Sequence, residues 1–191
     1  RFLIETYNAG YRRMAKYLRE VGCAQPFSDQ NTWSGVGLAF SRAHYDYVDN
    51  HFYHDHPCFA AGSWKLPFAL KNKSVAGSVY SSLSLMVPTK IAGKPFTITE
   101  FDFPKPNMCR AEGAPYTAAY AALQGWNGIY RFDYASSVSM YRTDGNGVYL
   151  GSAFSTSIDP IKTLSEKIGI LMFLRGDVKT AGCSFPFVVS E

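Results

Sequence analysis

Apolar side chains recur at helical spacing from the start of the chain. Leu3, Tyr7, Tyr11, Met14, Leu18 and Val21 follow in steps of four, four, three, four and three, which sets them on one helix face, while Arg12, Arg13, Lys16 and Arg19 cover the other side. Gly22 supplies the stop, so the pattern predicts a helix of about five turns from near residue 3 to residue 21. Ala24 to Asp29 reads as a short extended segment in which Pro26 permits only a strand start or an edge. Ser34 to Tyr45 predicts a weaker helix, and Tyr45 to Tyr53, dense in Tyr, Val and Phe, predicts a strand. Gly62 to Lys94 is a long, Ser-rich, partly helical connection, of a length that in compact domains is commonly functional.

Pro95 to Phe101, PFTITEF, is the clearest strand, apolar or β-branched nearly throughout and expected to be buried on both faces of a parallel sheet. A Pro-rich loop from Pro104 leads to a helix opening at Pro115, with Tyr116, Ala119, Tyr120 and Leu123 on one face and Gly125 at its end. Gly128 to Tyr134, GIYRFDY, predicts the next strand, and Asp144-Gly145-Asn146-Gly147 predicts a hairpin turn. Asp159-Pro160 is an N-cap followed by a first-turn proline, and Ile161, Leu164, Ile168 and Leu171 carry the apolar stripe of that helix to Gly176. Phe185 to Val189 has strand character. The alternation, without internal repeat or low-complexity tract, predicts an α/β fold of βα units on a parallel sheet of four strands. Residues 1–180 are expected to form that unit and 181–191 to begin a C-terminal β appendage.

Composition narrows the class. With 191 residues, 47% of them apolar, the chain can bury one sizeable core, and it falls below the roughly 250 residues of a complete eightfold α/β barrel. Nineteen basic against 15 acidic residues leave a net charge of +4 with no basic run, which argues against nucleic acid or an anionic membrane surface as the main partner. The longest apolar run, Ile168 to Leu174, is far short of the ~20 residues a membrane helix needs. An aromatic content of 16% suits a large packed interior or a sugar-stacking cleft. Cys23, Cys58, Cys109 and Cys183 lack C-x-x-C spacing and are expected to be free, mostly buried thiols. Arg1 opens the chain with neither an initiator Met nor a leader, so a processed chain or an internal piece is expected, and localisation is not legible from it.

Three groups of residues could carry chemistry. Glu100 ends the clearest strand, and in parallel α/β folds the C-terminal strand ends face the ligand site; the alternative is a strand-end carboxylate paired with a nearby Arg. Asp49, His51, His54, Asp55 and His56 invite a metal reading, but strand parity puts His51 with Asp49 and Tyr53 and turns His54 and His56 the other way, which favours a polar, aromatic-rimmed cleft wall. Arg131 and Asp133 alternate on one strand and share a face, as a structural ion pair or a substrate-facing pair. Trp33, Trp64 and Trp126 lie in or beside connections, where each could stack on a sugar or simply pack.

Taken in order, DNHFYHDHP at 49–57, KPFTITEFDFP at 94–104, PNMCRAEGAPYTAAYAALQGWNGIYRFDYA at 106–135 and DPIKTLSEKIGILMFLRGDVK at 159–179 resemble the C-terminal half of retaining glycoside hydrolases of the large (β/α)8-barrel clan. That clan includes β-galactosidases, cellulases and mannanases, and the likeness is to a bacterial branch of it. The resemblance implies a partial (β/α)8 TIM barrel, strands five to eight, with no cofactor and an oligo- or polysaccharide substrate. Glu100 would be the nucleophile, Tyr53 the hydroxyl that bonds and orients it, and His51 its neighbour in the His-x-Tyr pattern. Asp49, Asn31, Trp33, Asp133 and Arg131 would line the substrate. The leaving-group acid belongs to a strand four that this chain lacks, and Glu5, inside the opening helix, is not given that role; the N-terminal barrel half is therefore an expected partner. Two other readings stand beside this one: a non-catalytic carbohydrate-binding protein on a degenerate barrel, and a metal-dependent hydrolase using His51, His54 and His56.

Overall fold

A computed structural model describes residues 1–31, 35–62, 67–135 and 152–190. Helix α1 spans Phe2–Glu20, and its backbone closes onto Gly22, whose φ of +92° is open to glycine at little cost. Only part of the expected apolar stripe is covered. Tyr11 and Leu18 are half-buried, Tyr11 packing on Tyr45 with ring centroids 4.4 Å apart, whereas Leu3, Tyr7, Met14 and Val21 are exposed. Tyr7, Tyr11, Met14 and Leu18 border an open groove of about 780 Å³ whose other wall includes Pro26 and Phe27.

The expected strand at Ala24 to Asp29 does not form. Its backbone is engaged by side chains instead: Arg19 donates to the Gln25 carbonyl, as it does to that of Cys23 just before the segment, and the Phe27 N–H donates to Asp46 Oδ2 at 2.7 Å. Groups satisfied in this way have no need of a ladder. The weaker helix shrinks to a 3₁₀ turn, Val36–Leu38, and a single turn of α2, Ala39–Arg42.

Three parallel strands make the sheet: β1 (Val48–Tyr53), β4 (Phe96–Asp102) and β5 (Gly128–Arg131), in the spatial order β1-β4-β5. Between β1 and β4, the short strands β2 (Cys58–Phe59) and β3 (Phe68–Ala69) pair antiparallel, and Ser84–Thr89 forms a 3₁₀ helix. The crossover after β4 is α3 (Gly113–Gln124), and α4 (Pro160–Arg175) packs on it. Pro115 thus sits inside the first turn, where its missing N–H is harmless. Gly125 and Gly176 end α3 and α4 in the left-handed conformation, as their positions predicted. Gly169 lets the two helices touch, since a Cβ there would lie 2.8 Å from Ala114.

Val48, Phe52, Phe96, Ile98, Phe101, Phe103, Leu83, Met86, Ala121 and Trp126 form the core between sheet and helices. The expectation that β4 is buried on both faces is corrected: Phe96, Ile98 and Phe101 are buried, but Thr97, Thr99 and Glu100 on the other side are only half-covered. Trp126 packs on Phe96 within the core, 4% exposed, and so is not a sugar-stacking surface. The expected C-terminal strand at Phe185 to Val189 is also absent; Phe185, Phe187 and Val188 are exposed, and among the described residues no strand pairs with them. All four cysteines are free, but none is buried, because they fall in loops and at segment edges. The hairpin turn at Asp144 to Gly147 lies outside the described residues. Among those residues no helix is long and apolar enough to cross a membrane.

Candidate active site

The open face of the sheet is built by a break in strand alternation. β1 and β4 run in register from Val48 opposite Phe96 to Asn50 opposite Ile98, and then His51 pairs with Glu100, so that Thr99 is the extra residue of a bulge. Thr99 therefore contacts the same side of β1 as its neighbour Glu100 does, and two consecutive polar side chains serve one face.

Glu100 lies between two β1 side chains. Tyr53 donates its hydroxyl to Glu100 Oε2 at 2.5 Å, and His51 Nδ1 lies 3.3 Å from the same oxygen. Among the described residues both contacts fall on Oε2, which leaves Oε1 without a protein partner. The side chain is 34% exposed, so this oxygen is within reach of solvent or a ligand. Burial, reinforced by the bond to Glu100, pushes the Tyr53 hydroxyl well above its usual phenol range, and it stays protonated as a donor. Phe132 and Phe154 pack edge-on against the Tyr53 ring, at 6.2 and 5.3 Å between centroids, and fix its orientation.

Behind His51 lies Asp49, almost fully buried. Its Oδ1 accepts from the Thr97 hydroxyl at 2.7 Å and the Thr99 N–H at 3.1 Å, and its Oδ2 accepts a very short bond from the Thr99 hydroxyl. The same Thr99 oxygen is 2.9 Å from His51 Nε2. Asp49, His51, Tyr53 and Glu100 thus form one connected group, with Asp49, His51 and Tyr53 on one side as strand parity predicts; the expectation that Asp49 lines a substrate is corrected, because it is buried with both oxygens taken by Thr97 and Thr99.

The other expected ligand-lining residues do not join it. Asn31 is exposed in the segment before the 3₁₀ turn, and Trp33 lies outside the described residues, as does Trp64. Arg131 does not pair with Asp133; it is bound to Asp102 and to Glu166 of α4, and its guanidinium stacks over Phe101 at 4.6 Å. With a side chain only 6% exposed, it is committed to the helix-facing side of the sheet. Asp133 is half-buried just past β5, where its carbonyl accepts the Thr156 N–H and its charge is felt at Tyr53. His54 is buried, stacked on Phe103 and bonded to the Lys73 carbonyl, and His56 Nδ1 is paired with the Pro57 carbonyl. The three histidines consequently point to three different partners, and among the described residues no three His, Cys, Asp or Glu side chains gather as a metal site.

Two features escaped the sequence reading. One is Thr99, whose role depends on the bulge; the adjacent polar pair Thr99-Glu100, which breaks period-two alternation, is the signal that could have shown it. The other is the buried network of Asp102, Arg131, Lys162 and Glu166, in which Lys162 Nζ donates to Asp102 Oδ2 at 2.6 Å and to the Phe154 carbonyl at 2.6 Å. No family model, curated protein or solved structure matches this chain.

Proposed function

We propose that this chain carries the nucleophile side of a retaining glycoside hydrolase centre, with β1, β4 and β5 as consecutive strands of a (β/α)8 barrel and Ala24 to Asp29 at the place of the preceding strand. The observation that supports this most is the one-sided setting of Glu100: Tyr53 donates to Oε2 and the His51 ring lies 3.3 Å from the same oxygen, while Oε1 has no protein partner among the described residues. In this reading Oε1 attacks the anomeric carbon as the bond to the leaving oxygen breaks, forming a glycosyl ester. Water then attacks the same carbon, returning the carboxylate and a sugar of retained configuration. Tyr53 orients the carboxylate and spreads its charge before attack. The leaving oxygen needs a proton from a second carboxyl about 5 to 5.5 Å from the first. Asp49 does not suit that role, because both its oxygens are occupied by Thr97 and Thr99. The acid is assigned, as the resemblance implies, to chain outside these 191 residues, on strands that would stand between β5 and the Ala24 to Asp29 segment.

The test is a panel of aryl glycosides offered to the full-length natural protein, with the first-formed anomer read by proton NMR. Retained configuration, and loss of turnover in Glu100→Gln, are expected; an inverted product or an active Glu100→Gln protein would contradict the reading. The 191-residue chain alone is expected to hydrolyse poorly any substrate whose leaving group needs a proton, and robust turnover by it would contradict the assignment of the acid elsewhere.

A further inference from the structure

The hydrogen-bond inventory around His51 carries a second conclusion. Thr99 has one hydroxyl proton, and it is given to Asp49 Oδ2. The Thr99 oxygen can then only accept from the ring nitrogen 2.9 Å away, so His51 Nε2 must bear a hydrogen. We propose that Asp49 and Thr99 are positioning residues that hold His51 as the Nε2–H tautomer and present Nδ1 to Glu100 Oε2. The charged and titratable groups facing His51 are Asp49 behind it on β1 and Glu100 in front of it on β4.

The bulge is what makes this chain of contacts continuous. Without the extra residue Thr99, regular pairing would put a single β4 side chain opposite His51, and the ring could be held or could meet the carboxylate, but not both. The consequence for turnover rests on the glycosidase reading, whereas the tautomer does not.

Nitrogen-15 NMR of the intact chain labelled at its four histidines reads the tautomer directly, and comparison with His51→Gln assigns the signal. The expected wild-type spectrum shows His51 with a protonated, hydrogen-bonded Nε2. Thr99→Val should lose that signature, Thr99→Ser should restore it, and Thr97→Val, which removes an Asp49 contact without touching His51, should leave it unchanged. A proton on Nδ1 alone in the wild type, or an unaltered His51 spectrum in Thr99→Val, would overturn the proposal. In the full-length enzyme Thr99→Val should lower kcat about tenfold with KM within about twofold, and Thr99→Ser should recover it. Normal tautomers in a protein without glycosidase activity would sink the functional reading and leave this inference standing.

Discussion

Two carboxylates stand two residues apart near the end of β4, and they are treated in opposite ways. The Glu100 side chain is 34% exposed and meets an uncharged phenol and an imidazole on the open face of the sheet. Asp102 is fully buried against α4, enclosed by Arg131 and Lys162, with Glu166 completing a charge-balanced group of four. Burial pushes the Asp102 carboxyl up and the Lys162 ammonium down, while their mutual contact opposes both shifts. The same strand end therefore carries one group free to react and one sealed into the scaffold. What separates them is not residue type but where solvent and partners fall.

The sharpest way to break the contrast is to substitute each member. On the proposed glycosidase reading, Glu100→Gln is expected to cost the full-length protein about 10⁴-fold in kcat, which is about 5.5 kcal/mol of activation free energy, while unfolding free energy changes by no more than about 0.5 kcal/mol. Asp102→Ala should do the reverse in kind. It leaves Lys162 and Arg131 buried without their carboxylate, and denaturant unfolding should show a loss of about 3–5 kcal/mol. If Asp102→Ala were neutral in stability, the sealed network would be ornamental and the contrast would fail.

Smaller substitutions sharpen it. Tyr53→Phe removes one donor from Glu100 Oε2 while keeping the ring between Phe132 and Phe154, so kcat should fall about 10²-fold with little change in unfolding. Equal losses in stability and rate would make Tyr53 a packing residue only. Asp159 is the mildest case. It caps α4 by accepting from the Ile161 and Lys162 N–H groups at 3.0 and 3.2 Å and pairs with Arg110 at 2.5 Å. Burial works against its ionisation, but the Arg110 bond and the two amides win and hold its carboxyl below the usual range. A depressed folded-state value contributes stability above the unfolded pKa of about 3.9, lost as pH falls through the folded value. Asp159→Ala should therefore cost about 1–2 kcal/mol at pH 7 and progressively less as the pH is lowered below about 4, followed by thermal unfolding. A penalty that stays constant into acid would exclude the charged cap.

Much of this was legible in the sequence because it is local. The stripe in α1, the Asp159-Pro160 start, the terminal glycines of α3 and α4 and the β-branched run of β4 each announce themselves within a few residues. Asp49, His51 and Tyr53 could be grouped because strand parity is also local. What was not legible depends on distant partners. Spacing matches Arg131 with Asp133, yet its partners come from β4 and α4, and no window of sequence contains all three. The strand at Ala24 to Asp29 failed for the same reason, since Arg19 and Asp46 took its backbone groups from outside the segment. The bulge lies between: Thr99-Glu100 was visible as a broken alternation, but its meaning needed the register with β1.

The central claim is that Glu100, and not its sealed neighbour, is the reacting carboxylate. The most direct measurement is mass spectrometry of the full-length protein after exposure to a panel of 2-deoxy-2-fluoroglycosyl fluorides, reagents that trap a glycosyl-enzyme ester without needing a leaving-group acid. Fragmentation should localise a single added sugar to Glu100, with Asp102 and Asp49 unmodified. A sugar on any other carboxylate, or hydrolytic turnover of the reagents with no covalent adduct, would contradict the account.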